Sequence, residues 1–140
     1  MNRDEIMAME AGTYLDVCVA QKVFGCEVFQ HNIETENGKT NTWYDCGCEG
    51  GVHSDSLSIL QRLKRYSADY NAIAEMEKEI AGNRETQERY MDKLDSTLDL
   101  YYGFKYHNDC NHLDYDDAWA LITATPEQKC KAAILAVMEL

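Results

Sequence analysis

The chain has 140 residues, 45% of them apolar, with 25 acidic and 13 basic side chains and a formal charge of −12. That length and apolar content suit one domain, residues 1–140, with a core of its own, and they argue against disorder. The charge argues against DNA, RNA or an anionic membrane as partner, since each is gripped by clustered Lys and Arg.

Residues 4–24 read as helix. Ile6 and Met9 open an apolar stripe that Leu15, Cys18, Val19 and Val23 continue at helical spacing. Gly12 splits the segment into a short first helix and a longer second, and Gly25 is placed as the stop. A strand is expected over Cys26–Ile33 and its return over Thr42–Cys46. The turn between them, Glu34–Thr40, holds Asn37-Gly38, a strong hairpin pair. Gly47, Gly50 and Gly51 then mark a loop.

Ser54–Arg65 has a helical pattern through Leu57, Leu60 and Leu63. Ser67 is positioned to cap a helix from Ala68 to about Ala81, with Asp69 in its first turn and Tyr70, Ile73 and Ile80 facing the core. Residues 84–98 form another helix, with Tyr90, Met91, Leu94 and Leu98 on one face and charges on the other. Leu100–Tyr106 reads as an aromatic strand, His107–Asp117 as a polar loop, and Trp119–Thr123 as the last strand. The final helix has Thr125 as N-cap, Pro126 as first residue and Gln128 completing a capping box. Cys130, Ala133, Ile134, Val137 and Met138 then line one face. The order predicts an α+β fold: a three-layer α-β-α sandwich around a small, mostly antiparallel sheet, with helical insertions.

Met1–Glu5 is charged and no apolar run follows it, so no secretory signal is expected, and no stretch approaches the ~20 apolar residues of a membrane span. A cytoplasmic protein keeps its cysteines mostly as thiols or metal ligands, not disulfides. Cys46-x-Cys48 with His53, and His107-x-x-Cys110-x-His112, supply ligands of the kind zinc takes; Cys46, Cys48, Cys110 and His112 form the candidate set, provided two distant loops meet. Their spacing does not match that of the familiar fingers, and the plain reading is thiols and surface histidines in polar loops. A catalytic cysteine or histidine lacks a positioned base. Asp109, Asp114, Asp116 and Asp117 lack calcium-loop spacing, and Gly47–Gly51 lacks a phosphate-loop Lys. Neither catalytic residues nor a cofactor are therefore expected.

Arg62, Lys64 and Arg65 fall within four residues, and Tyr66 and Ser67 follow directly. Cations and an aromatic ring beside a helix start make an anion or nucleotide pocket, to which Tyr101 and Lys105 add stacking surface and charge. Against this, Arg and Lys commonly pair with nearby carboxylates, and tyrosines commonly pack in the core.

Three segments occur in an order that resembles the phage ABA-sandwich domain proteins. They are Met1–Glu10 running into Leu15–Gly25 (LDVCVAQKVFG), Tyr66–Ala72 (YSADYNA) and Thr123–Val137 (TATPEQKCKAAILAV), about a third of the chain. The resemblance implies an α-β-α sandwich of phage or prophage origin and brings no catalytic residues. Residues 46–66, 84–98 and the His107–Asp117 loop depart from it as insertions, where a member's own function can lodge. With that origin, the expected function is counter-defence in the host bacterial cytoplasm. A non-catalytic homo-oligomer would sequester a nucleotide-type immune signal at Arg62, Lys64, Arg65, Tyr66, Ser67, Tyr101 and Lys105. Two alternatives stay open: an acidic inhibitor of a basic host protein, and a metal-dependent enzyme built on the loop Cys and His ligands.

Overall fold

The computed structural model describes residues 1–46, 63–98 and 115–140. Among them are α1 (Arg3–Met7), α2 (Thr13–Lys22), β1 (Val28–Glu34), β2 (Thr40–Cys46), α3 (Tyr70–Ala81), α4 (Arg84–Thr97), α5 (Tyr115–Thr123) and α6 (Pro126–Val137). The described chain thus mixes α and β structure and is mainly helical.

Side chains satisfy the first backbone N–H groups of four helices. Asn2 and Glu5 form a reciprocal capping box at α1. Asp69 accepts from Asn71 N–H at 2.9 Å to open α3, and Asn83 accepts from Thr86 N–H at 3.1 Å to open α4. The box at α6 is the one the sequence predicts: Thr125 N–H donates to Gln128 Oε1 at 2.8 Å, and Gln128 N–H to Thr125 Oγ1 at 3.3 Å. α2 ends at Lys22 with Val23 as its C-cap, and the chain turns away at Gly25, whose φ of 64° places it in the left-handed region that glycine enters without strain. Phe24 N–H bonds Val19 O and Cys26 N–H bonds Ala20 O around it.

The core forms around α6. Residues from Cys130 to Ala136 are buried without a break, so this helix is covered on all sides rather than on one stripe. Its alanines at 132, 133 and 136 are fully buried and let the neighbouring backbones approach closely. α4, α2, α1 and α3 all pack against it. α1 has only five residues, too few to be helical alone; Ile6, fully buried, anchors it to the core. A polar tie reinforces the packing. Tyr90 Oη donates to Glu77 Oε1 at 2.8 Å, and Lys129 Nζ donates to the same oxygen at 2.9 Å, joining α4, α3 and α6.

β1 and β2 form an antiparallel hairpin in register from Val28↔Cys46 to Glu34↔Thr40. The chain reverses over Glu36–Gly38, closed by Thr35 N–H to Lys39 O at 2.8 Å and by Gly38 at φ 72°. Val28 packs on the core, whereas Phe29 and Ile33 stand exposed on the ribbon.

Four expectations are corrected. Trp119–Thr123 is the end of helix α5, not a strand. The β-branched pair Ile122-Thr123 suggests a strand, but Ala118, Ala120 and Leu121 favour helix, and Thr123 Oγ1 donates to Trp119 O at 2.8 Å, one helical turn back. Ser67 does not cap α3: Asp69 does, the helix starts at Tyr70, and Tyr70 is exposed instead of facing the core. Leu63–Arg65, the described end of the helix expected over Ser54–Arg65, is not helical, and Leu63 N–H reaches Tyr44 O on β2 at 3.4 Å. Cys26 is neither thiol nor metal ligand but disulfide-bonded, while Cys18 and Cys130 are buried free thiols. Spacing along the chain cannot show which sulfurs meet in space, and the expectation rested on compartment alone. Most of the Ser54–Arg65 helix, the Leu100–Tyr106 strand and most of the His107–Asp117 loop lie outside the described residues.

Candidate functional site

Three segments far apart in the chain converge at one buried node. Asp16, on α2, is 4% exposed. Its carboxylate accepts the Ser67 N–H at 2.7 Å and is also hydrogen-bonded by the Ser67 hydroxyl. That hydroxyl accepts the Gly12 N–H at 2.9 Å. One residue earlier, Ala11 N–H donates to Glu127 Oε2 at 3.2 Å, and Lys131 Nζ holds the other oxygen of Glu127 at 2.6 Å. The node thereby ties the start of α2 to the Tyr66–Asp69 turn and to the first turns of α6. Burial pushes the Asp16 carboxyl up from its ordinary value, opposed by the Ser67 hydrogen bonds and the nearby Arg65 charge. The Lys131 hydrogen bond pulls Glu127 down. Burial, followed by the Asp16 and Glu127 charges, pushes the Cys130 thiol up, so it is an inert sulfur. With Ser67 also 4% exposed, the node holds the scaffold together and presents no group to a ligand.

Each candidate ligand residue now has a place or lies outside the described residues. Arg62, Tyr101 and Lys105 lie outside. Tyr66 is buried and stacks on Phe24, ring centroids 5.3 Å apart. Ser67 belongs to the node. Lys64 is ion-paired and hydrogen-bonded with Glu75. Arg65 is exposed. Lys64 and Arg65 border an open cleft of about 370 Å³ that Ala68, Asp69, Asn71, Ala72 and Glu75 complete. The structure brings Lys64 and Arg65 together there and turns Tyr66 and Ser67 inward. The Asp69 carboxylate occupies the α3 helix start, where an incoming anion would meet like charge.

The zinc set Cys46, Cys48, Cys110 and His112 lies outside the described side chains. Among the described residues no three His, Cys, Asp or Glu side chains are grouped to hold a metal ion. No helix among them is long and apolar enough to cross a membrane.

Sequence reasoning missed Asp16 and the carboxylates that meet the cations. A signal for Asp16 was present: an acid inside the run Leu15-Asp16-Val17-Cys18, where both stripe and flanks are apolar, needs a buried partner. The ion pairs were legible only within helices, at i, i+4: Arg84–Glu88, Arg89–Glu85 and Lys131–Glu127. Lys64–Glu75 and Lys129–Glu77 join separate segments. No protein-family model, curated protein or solved structure matches this chain.

Proposed function

We propose that this chain is a non-catalytic binding protein whose acidic surface docks on a basic host protein. The observation that carries the reading is the disposition of its charges. Lys64, Arg84, Arg89, Lys129 and Lys131 each face a carboxylate of the chain itself. Among the described residues, Asp4, Glu10, Glu27, Glu34, Glu36 and Glu79 stand exposed besides the carboxylates in those pairs. Such a field steers a basic partner and speeds its encounter. Tyr14, Tyr70, Trp119 and Ile122 stand exposed among these charges and supply the apolar anchors that interfaces need.

A second reading, sequestration of a nucleotide-type signal, is favoured by the cleft beside Arg65, whose volume suits a small ligand. There a phosphate would displace Glu75 from Lys64. One experiment separates the two: native mass spectrometry and salt-stepped elution of the protein purified from host cells. Docking predicts a retained basic protein that leaves as salt rises. Sequestration predicts a nucleotide-sized adduct that Arg65→Glu abolishes. A salt-insensitive complex, or no basic partner, would count against docking.

Phage origin, action in the host cytoplasm and the three-layer sandwich belong to the same proposal, and self-association to the sequestration reading alone. Origin and sandwich rest on the three resembling segments, whose Asp16, Ser67 and Glu127 join a single buried node. The sandwich needs a sheet wider than the β1–β2 hairpin, with Leu100–Tyr106 as the strand that would widen it.

A further inference from the structure

The break between α1 and α2 leaves a concave corner on the surface. α1 ends at Met7, the chain turns through Ala8 and Met9, and α2 begins at Thr13. A groove of about 450 Å³ lies there, lined by Met1, Glu5, Ala8, Met9 and Tyr14. The lining mixes apolar surface from Met1, Ala8, Met9 and the Tyr14 ring with polar groups, the Glu5 carboxylate and the Met1 ammonium among them. Tyr14 is 66% exposed and Met1 43%, while Met9 is half-buried with one side against the core. Methionine is unbranched and polarisable and re-packs around different guests. A tyrosine ring adds wide contact area at the cost of only two torsions.

The charges around this corner select the guest. Asp4 and Glu10 are exposed and flank the groove residues in sequence. Glu5 accepts the Asn2 N–H at 2.7 Å and stands 3.7 Å from the Met1 ammonium, so its charge is largely answered within the chain. The Arg3 guanidinium turns away to Ser96 Oγ at 3.3 Å. A second copy of this chain would bring −12 against −12.

We propose that this groove seats a segment of a basic partner protein, with an apolar side chain between Met1, Met9 and Tyr14 and flanking Lys or Arg against Asp4 and Glu10. The inference rests on the acidic-docking reading and gives it a location.

The test uses the full chain with methyl-labelled methionine, titrated with a synthetic helical peptide of Lys-Leu-Leu-Lys blocks. One control peptide replaces Leu by Ser at the same charge; another replaces Lys by Glu with the same apolar face. The Lys/Leu peptide is expected to shift the Met1 and Met9 methyl signals, and both controls to bind weakly. Tyr14→Ser, at a site two-thirds exposed and so harmless to folding, is expected to weaken binding about tenfold. Binding that Tyr14→Ser leaves unchanged, with shifts elsewhere, overturns the groove and leaves acidic docking standing. Met1 and Met9 signals that move with protein concentration alone make a second copy the occupant and overturn the proposal. Failure of both Lys peptides to bind at low salt removes the groove and the docking reading together.

Discussion

Asp16 shows how much one side chain can hold and how little of it a sequence reveals. Its carboxylate is taken out of water, and the Ser67 backbone and hydroxyl stand in for the lost hydration. Ser67 is 51 positions away, so no local pattern announces the pair. The same contact explains why Ser67 does not cap a helix: its hydroxyl is already shared between Gly12 and Asp16. A pH dependence follows. The folded Asp16 carboxyl titrates above its ordinary 3.8, so the folded state holds a proton that the unfolded chain has released. Its contribution to stability is complete below that value and is lost as pH rises through the raised folded pKa. Glu127 acts in the opposite sense: its carboxyl is lowered from 4.5, so its contribution is present above that value and fades as pH falls. Melting curves from about pH 3 to about pH 8 check this in Asp16→Asn, which keeps an acceptor for the Ser67 N–H but has no charge to titrate. The wild type should lose ground against the variant as pH rises. Parallel curves would show that burial of this carboxylate has no energetic consequence.

Helices announced by side-chain caps and apolar stripes were readable; α5, nine residues long, was not. Thr125, Pro126 and Gln128 mark the start of α6, and Gly12 and Gly25 bracket α2 as their chemistry requires. α5 was misread because five residues, Trp119–Thr123, fit both periods, and the choice fell to Ala and Leu upstream and to packing on the core through Leu121. Burial of α6 on all sides was also hidden, because alanine counts weakly in any apolar stripe. Two substitutions separate the cap from the packing. Thr125→Ala removes an acceptor at the helix start and should cost about 0.5–2 kcal/mol. Ala133→Leu forces a larger side chain into a fully buried position and should cost about 1–3 kcal/mol or more. Urea midpoints at constant slope measure both. A tolerated leucine at 133 would mean that the helices around α6 are not closely packed.

Charge and cysteine chemistry involve the entire chain. Composition gave the sign of the surface and the absence of a nucleic-acid signature, but not where the cations sit. Lys64 meets Glu75 across the cleft and not within a helix, so the basic cluster that stands out in the sequence is partly neutralised by folding. The three classes of cysteine chemistry also emerge only in space. Cys18 is pushed up by burial, with Lys22 opposing; Cys130 is pushed up further; Cys26 is bonded. Alkylation of the native protein followed by mass analysis should therefore leave Cys18 and Cys130 unmodified. Reduction should lower the melting temperature, a native disulfide contributing about 2–5 kcal/mol in small domains, while Cys26, 8% exposed, stays shielded from the reagent until the chain unfolds.

A ribosome makes α1 through α5 before it makes α6, yet α1, α2, α3 and α4 all depend on α6 for cover. Until that helix emerges, Ile6, Leu15, Ile73 and Met76 lack the wall that α6 provides. Folding of these parts is thus deferred until α6 has left the ribosome, in contrast to domains that close from the N-terminus onward. Mutual repulsion among acidic nascent chains keeps neighbouring unfinished copies on one message from sticking to each other. A copy truncated before Thr125 is a substrate for proteases rather than a weaker version of the protein.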